Sequence, residues 1–305
     1  MKVYQNNTCN QLYVQALKDC LSVSSSTPSR VGNVYDLGPV AFEFEPGKLN
    51  LITLKNRALN PFFAIAEAAW VIGGHNELDI LSYYLKKYDA FSDDGMTLNG
   101  AYGFRLRSYF GYDQLNFAIQ ELKNSPGSRR CVLNMYSAND LRNSTSKDIP
   151  CNTSIMLKIR KGSLDLTVIN RSNDVHWGIP YNIFVFQVLH CYLARKIGVE
   201  LGLQRHFTDS LHLYEHCINE ATAILDNVII PDFESDSIEL LYAIIDNIEN
   251  INQRDFSAIN ENSLRETMLM YSAYKNEGNK TAFNRDTGNQ WLNFLVEDWS
   301  MKYVK

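Results

Sequence analysis

The sequence predicts a mixed α/β fold that turns wholly helical towards its C-terminal side. Three observations carry this. Period-two alternation of apolar residues is confined to the centre of the chain, apolar stripes at helical spacing flank it, and after about residue 225 only helical periodicity remains. Neither repeats nor low-complexity tracts interrupt the order. The 305 residues suffice for one large or two ordinary domains with a real core. The organisation expected is a body over residues 1–225 and a helical extension over 226–305 packed on it.

Taken in order, "NQLYVQALKDCL" spaces Leu12, Val14, Leu17 and Leu21 as a helix does, and "SVSSSTPSRVGN" is polar and rich in turn formers, hence a loop. "GPVAFEFE" and "LNLITLK" read as strands. Pro61 then opens the helix "PFFAIAEAAWVIGG", which closes at paired glycines. "RRCVLNMYS" is a strand, and "TSIMLKIRKGSLDLTVINRS" is two strands about an Arg160-Lys161-Gly162 turn. "IPYNIFVFQVLHCYLARKIG" is apolar nearly all round and reads as a buried helix. "LQRHFTDSLHLY" reads as a strand running into a helix. "SIELLYAIIDNIENI", "NSLRETMLMYSAYKN" and "NQWLNFLVEDWSMKYVK" complete the chain as helices between Asn/Asp/Gly-rich turns.

A composition of 45% hydrophobic and 21% charged residues is that of a globular protein, and a net charge of −5 argues against nucleic acid as a partner. No signal peptide and no apolar run long enough for a bilayer is evident, so no membrane partner is expected and the expected compartment is a reducing cytoplasm. The six cysteines form no C-x-x-C pair and no finger spacing, and no metal is expected; His176, His206 and His216 read as structural or surface residues.

Two features ask for chemistry. Cys151 sits between Pro150 and a strand, ahead of polar Asn152, Thr153 and Ser154, although a packing thiol would sit more comfortably among the isoleucines further on. Glu67 lies inside an apolar helix, either escaping at its edge or serving a site. Around them Arg30, Arg129, Arg130 and Arg171 stand beside serines at element ends, a set suited to the fork-shaped hydrogen bonds of a phosphate. Singly, each arginine is better explained as a surface ion pair.

"PCNTS", "SRR", "NRSNDVHWGIPYNI" and "SLHLYEH", with "LITLKN", "AEAAWVIGG" and "NGAYGFRLR" before them, resemble the thymidylate synthase superfamily in order and approximate spacing over roughly residues 10 to 220. The resemblance implies a mixed sheet covered by helices, dimerising through a sheet face. It implies an enzyme that moves a one-carbon unit from 5,10-methylenetetrahydrofolate, as co-substrate, to C5 of a pyrimidine nucleoside monophosphate. Cys151 matches the nucleophile that adds to C6, and a thiol is ionised at neutral pH only beside positive neighbours. Arg30, Arg171 and Ser172 match the phosphate-holding positions. Arg129 and Arg130 match the arginines that reach into the partner subunit's site, which implies a homodimer. Asn182 matches the reader of the pyrimidine edge; its amide donates to O4 and accepts from N3–H, which favours uracil over cytosine. His212 and Tyr214 match the pair on the sugar 3′-hydroxyl. Glu67 matches the proton-transfer glutamate, Tyr102 the tyrosine that helps remove the C5 proton, and Asp174 the aspartate on the pterin. Trp177 and Gly178 fall among the folate contacts, with Trp177 a stacking surface or a core residue.

Departures from the pattern concern the second half of the reaction. Tyr88 stands fourteen residues before Tyr102 where synthases have a water-shielding tryptophan, and Phe91 replaces a second, folate-stacking one. Asn56 and Ala58 replace a cation and an imidazole, and the chain ends "EDWSMKYVK" where synthases carry a closing tail. A synthase reduces the 5-methylene intermediate and excludes water; a hydroxymethylase admits water to it. The expectation is therefore hydroxymethylation of a uracil nucleotide (dUMP). A divergent thymidylate synthase comes next, then a cytidylate-type hydroxymethylase, then a non-catalytic nucleotide-binding regulator.

Overall fold

Eight strands form one mixed sheet in a computed structural model that describes residues 1–143, 145–231, 238–278, 280–283 and 285–304. The strands are β1 (Lys2–Tyr4), β2 (Thr27–Ser29), β3 (Gly32–Phe44), β4 (Val132–Asn134), β5 (Asn152–Arg160), β6 (Ser163–Asn170), β7 (Asn173–Asp174) and β8 (Glu200–Tyr214). They lie in the order β1-β3-β8-β6-β5-β4, with β2 on β3 and β7 on β8. β6 and β8 run parallel, joined by the buried helix between them, while β5 and β6 form an antiparallel hairpin. Its turn is Lys161-Gly162, both left-handed (φ 51° and 82°), the geometry whose twist matches that of the flanking strands.

The helices are α1 (Cys9–Leu21), α2 (Pro61–Gly73), α3 (Leu78–Ser82), α4 (Tyr102–Phe104), α5 (Gln114–Asn124), α6 (Ile179–Ile197), α7 (Ile218–Asp226), α8 (Glu239–Asp246), α9 (Ile248–Asn252), α10 (Asn262–Glu277) and α11 (Gln290–Tyr303). α2 starts where Asn60 caps it ahead of Pro61 and stops at Gly74 in left-handed conformation. One core joins α2 and α6 to Ile155, Leu157, Leu166 and Val168 of the sheet, and Leu241, Leu264, Leu292 and Trp299 of the later helices add to that same core. A second core sets α1 and α7 against Val40, Phe42, Leu211 and Leu213. Val132, Met156, Ile169 and Phe207 belong to neither core, and Val132 and Met156 are 47% and 44% exposed.

Three expectations need correction. "LNLITLK" forms no strand; Leu49, Leu51 and Ile52 are buried in the cores as loop residues. Residues 203–214 are strand throughout, and the helical turn begins only at Glu215. The polar loop "SVSSSTPSRVGN" contains β2 and the first residues of β3, a hairpin whose tip carries Arg30. Among the described residues no helix is long and apolar enough to cross a membrane. Parts of the helical extension at 232–237 and at 279, 284 and 305 lie outside the described residues.

Candidate active site

Cys151 sits where the β5–β6 hairpin opens. Asn152 pairs with Asn170, so the next residues outward, Cys151 and Arg171, face one another, and the Arg171 amide donates to the Cys151 carbonyl at 2.9 Å. That pairing lays both following side chains over the thiol. Arg171 Nη2 is 3.6 Å and Ser172 Oγ 3.7 Å from Sγ. The guanidinium is held there by the carbonyls of Ile149 (2.9 Å) and Pro150 (3.0 Å). Of the six free cysteines, Cys151 alone is half-buried; the other five are buried packing residues.

Arg30 reaches the same segment from the β2–β3 hairpin and donates to the carbonyls of Lys147 (3.1 Å) and Ser146 (3.4 Å). Two arginines thus converge on residues 146–150. Burial raises the Tyr214 phenol, Asp174 and Cys151 add to the rise, and Arg30 opposes it, which places Tyr214 among these groups. His212 stands edge-on to Tyr214 with ring centroids 5.2 Å apart.

From Ser172 the chain enters β7, which pairs Asp174 with His212. Asp174 Oδ1 accepts from the amides of His176 (2.7 Å) and Trp177 (3.2 Å), while burial pushes its carboxyl up. Asn173 Oδ1 accepts from Asn182 Nδ2 at 3.2 Å. Gly178 has no alternative here. A Cβ at that position would collide with Asn173 Oδ1 and meet the Asp174 carbonyl at 2.9 Å.

Glu67 and Tyr102 belong to the same electrostatic neighbourhood as Cys151. Burial raises the Glu67 carboxyl to about 7, and the Tyr88 hydroxyl, donating to Oε1 at 3.0 Å, opposes the rise. Glu67 Oε2 is buried with no protein partner. The Tyr102 phenol is pushed up by burial and then by Cys151, Asp148 and Glu67, so it lies within the field of both thiol and carboxyl. Tyr88 packs edge-on against Phe91, which is 47% exposed. Trp177 carries Lys87 Nζ at 4.6 Å and the Arg57 guanidinium at 5.4 Å from its ring centroid.

The chain therefore assembles a thiol under an arginine and a hydroxyl, a buried carboxyl raised by desolvation with a half-satisfied head, and an aromatic surface. Arg129 and Arg130 stand apart. They precede β4, whose pairing (Asn134 with Ser154, Val132 with Met156) carries them away from Cys151 by about 20 Å at ~3.3 Å per residue. Both are exposed, with no side-chain partner among the described residues. Among those residues no group of three His, Cys, Asp or Glu is arranged to hold a metal. His176 and His206 are buried, and burial depresses both to about 3, so they are neutral core residues.

Sequence reasoning missed three residues of this site. Asn173, which holds Asn182, carries its signal in the "NRSND" motif but was overshadowed there by Arg171 and Asp174. Asp148 accepts from the Gly100 amide at 2.6 Å and so fixes the turn before Tyr102. Arg57 lies between the two positions where a cation and an imidazole were missing.

The thymidylate synthase family model matches residues 11–268. The deoxyuridylate hydroxymethyltransferase of Pseudomonas phage M6 is 36% identical over 229 residues, 74% of this chain and 65% of that protein. That of Bacillus phage SP01 is 35% identical over 226 residues, 70% of this chain and 59% of that protein. The thymidylate synthase of Bacillus subtilis subsp. natto is 29% identical over 184 residues, covering 58% of this chain and 64% of that protein. The chain thus spans somewhat under two thirds of the length of these relatives.

Proposed function

The chain belongs to the thymidylate synthase family, and we propose that it transfers a one-carbon unit from 5,10-methylenetetrahydrofolate to C5 of a pyrimidine nucleoside 5′-monophosphate, with dUMP as substrate and a 5-hydroxymethyl product. Residues 1–225 would carry the reaction and 226–305 would pack on them. In this reading Arg30, Arg171 and Ser172 hold the phosphate, and His212 and Tyr214 hold the sugar hydroxyl. Asn173 takes one Nδ2 proton of Asn182. The other N–H and Oδ1 stay free for O4 and N3–H of uracil.

Cys151 adds to C6 and makes C5 nucleophilic. The folate supplies the electrophilic carbon. The residues suit such a ligand: Tyr88, Phe91 and Trp177 offer aromatic surface, Gly178 leaves room, and the Asp174 carboxyl can bond a pterin. Tyr102, within the field of both Cys151 and Glu67, would help remove the C5 proton. Glu67, at about 7, can hold or release a proton near O4.

One observation supports water attack over reduction: the Tyr88–Glu67 hydrogen bond. It sets a hydroxyl and a carboxyl, both able to bind water, where a synthase carries an indole shield. The names of the two phage relatives point the same way.

The exposed position of Arg129 and Arg130, away from Cys151, supports a homodimer. Val132, Met156, Ile169 and Phe207 would meet the partner across the bare sheet face, and the arginines would cross it to the partner's phosphate site. Sedimentation of the protein at micromolar concentration tests this. All six cysteines are free thiols, which suits a cytoplasmic enzyme.

Mass spectrometry of products formed with methylenetetrahydrofolate and each of dUMP, dCMP, UMP and CMP tests the activity. A hydroxymethyl gain on dUMP is expected. A methyl gain with dihydrofolate would make the protein a thymidylate synthase. No product despite tight nucleotide binding would leave a regulator.

A further inference from the structure

The loop over 55–60 holds Ala58 in a conformation that alanine disfavours. Asn56 and Ala58 are both left-handed, at φ 67° and 50°; asparagine tolerates this, but for alanine it costs about 1 kcal/mol or more. The compensation comes from 240 residues further on. Asp298, 6% exposed on α11, accepts the Asn56 amide at 2.9 Å on Oδ1 and the Ala58 amide at 2.7 Å on Oδ2. One carboxylate thus spans both left-handed residues.

The residue between them is turned inwards as a result. Arg57 is 1% exposed, donates through Nη2 to the His176 carbonyl, and lies 5.4 Å from the Trp177 ring centroid. α11 grips the same segment a second way. Lys302 is 3.7 Å from Glu220 Oε1, and Glu220 Oε2 bonds His176 Nε2 at 3.0 Å. Trp299 anchors the helix against Phe62 of α2, with ring centroids 5.3 Å apart. Around Asp298, then, α11 is a built part of the wall that presents Trp177.

We propose that Asp298 is a positioning residue. By bonding Asn56 and Ala58 it aims Arg57 at the His176 carbonyl and the Trp177 face, and so sets the Trp177 surface of the folate pocket without touching substrate. The identity of the ligand rests on the function proposed above; the mechanical link does not. The link restores a cation to the loop one position from where the family places it, and it ties the helical extension to the co-substrate side of the site. The nucleotide side, built from Arg30, Arg171 and Ser172, has no part in it.

The test uses the full-length chain with Asp298→Asn, Trp177→Phe and the double variant. Asparagine keeps the shape but offers an N–H to one of the two amides. Asp298→Asn should weaken tetrahydrofolate binding, measured in the presence of dUMP, about tenfold or more, the scale of one lost charged hydrogen bond. Binding of dUMP should stay within about twofold, and the KM for methylenetetrahydrofolate should rise more than kcat falls. The double variant should bind tetrahydrofolate no more weakly than Trp177→Phe alone, because both changes act on one surface. Unchanged folate affinity in Asp298→Asn, a parallel loss of dUMP affinity, or additive effects in the double variant would each overturn the proposal. Should Trp177→Phe not fold, the split between the two ligand affinities in Asp298→Asn still decides. Acrylamide quenching of tryptophan fluorescence needs no ligand. If the wild type binds dUMP but not tetrahydrofolate, the co-substrate assignment fails, and quenching alone judges the link. Trp291 and Trp299 share α11 with Asp298, so Trp177→Phe serves as the control. Quenching greater in Asp298→Asn than in wild type, with the difference lost in the double variant against Trp177→Phe, upholds it; equal quenching, or a difference that persists without Trp177, overturns it.

Discussion

Tyr88 and Glu67 share a 3.0 Å hydrogen bond in which the phenol donates and the carboxylate accepts. Burial holds the carboxyl at about 7, and the bond restrains it from rising further. Tyr88→Phe removes the restraint, so the Glu67 carboxyl should move up by about one pH unit, the equivalent of one charge-assisted hydrogen bond. Where turnover needs ionised Glu67, activity falls as pH drops through that value. The acid limb of the kcat/KM profile should then shift upward by about one unit in the variant. A limb that stays put would mean another group controls it.

Cys151→Ser should leave dUMP affinity within a few-fold and lower turnover by about 10³-fold or more, the scale seen when a nucleophile is removed. Denaturing mass spectrometry should also lose any nucleotide adduct on the protein. Residual turnover near the wild-type rate would exclude the covalent mechanism.

Gly178→Ala places a Cβ against Asn173 Oδ1 and the Asp174 carbonyl. Asn173 must move, and it is the partner that orients Asn182. Overpacking of this kind destabilises by about 1–3 kcal/mol. Urea unfolding should show that loss, and the preference for dUMP over dCMP should narrow with it. A stable variant with undiminished preference would show that the turn adjusts without Asn173.

His190 is buried, bonds the Leu164 carbonyl at 2.6 Å, and is held down to about 4 by burial. Its folded value lies below the unfolded value of about 6.5, so the unfolded chain takes up the proton first as pH falls. The stability it contributes is complete above about pH 6.5 and declines towards pH 4. Between pH 7 and 5 the wild type should lose about 2 kcal/mol more than His190→Gln, in which glutamine can still donate to Leu164. Urea unfolding at the two pH values checks this; equal losses would mean His190 charges freely in the folded state.

Where structure follows local pattern, the sequence was readable. α2 and the β5–β6 hairpin appear where periodicity, Pro61, Gly74 and Lys161-Gly162 predict them. The end of β8 failed for a physical reason. Leu211, His212 and Leu213 are buried in succession, because β3 pairs irregularly there around Gly38, and a broken alternation reads as helix. The "LNLITLK" segment failed because two cores bury it without a partner strand, and burial alone mimics a strand's composition. Cys151, Arg171 and Ser172 were legible as a set because a hairpin brings them together locally. Asp298 was not: a carboxylate that serves amides 240 residues away leaves no spacing to detect.

The pairing of β3 with β8 also governs how the protein can be made. β3 is complete by residue 44, yet the strand that joins it to the rest of the sheet begins at residue 200. During synthesis the Arg30 hairpin and β1 must therefore wait for some 150 residues to be added, and closing so long a loop is slow. Meanwhile the β5–β6 hairpin, with Cys151 at its mouth, has its own partner at once. A ribosome-bound chain halted before residue 200 should thus carry the Cys151–Arg171 hairpin without Arg30 beside it, and the two are brought together only when β8 arrives between them.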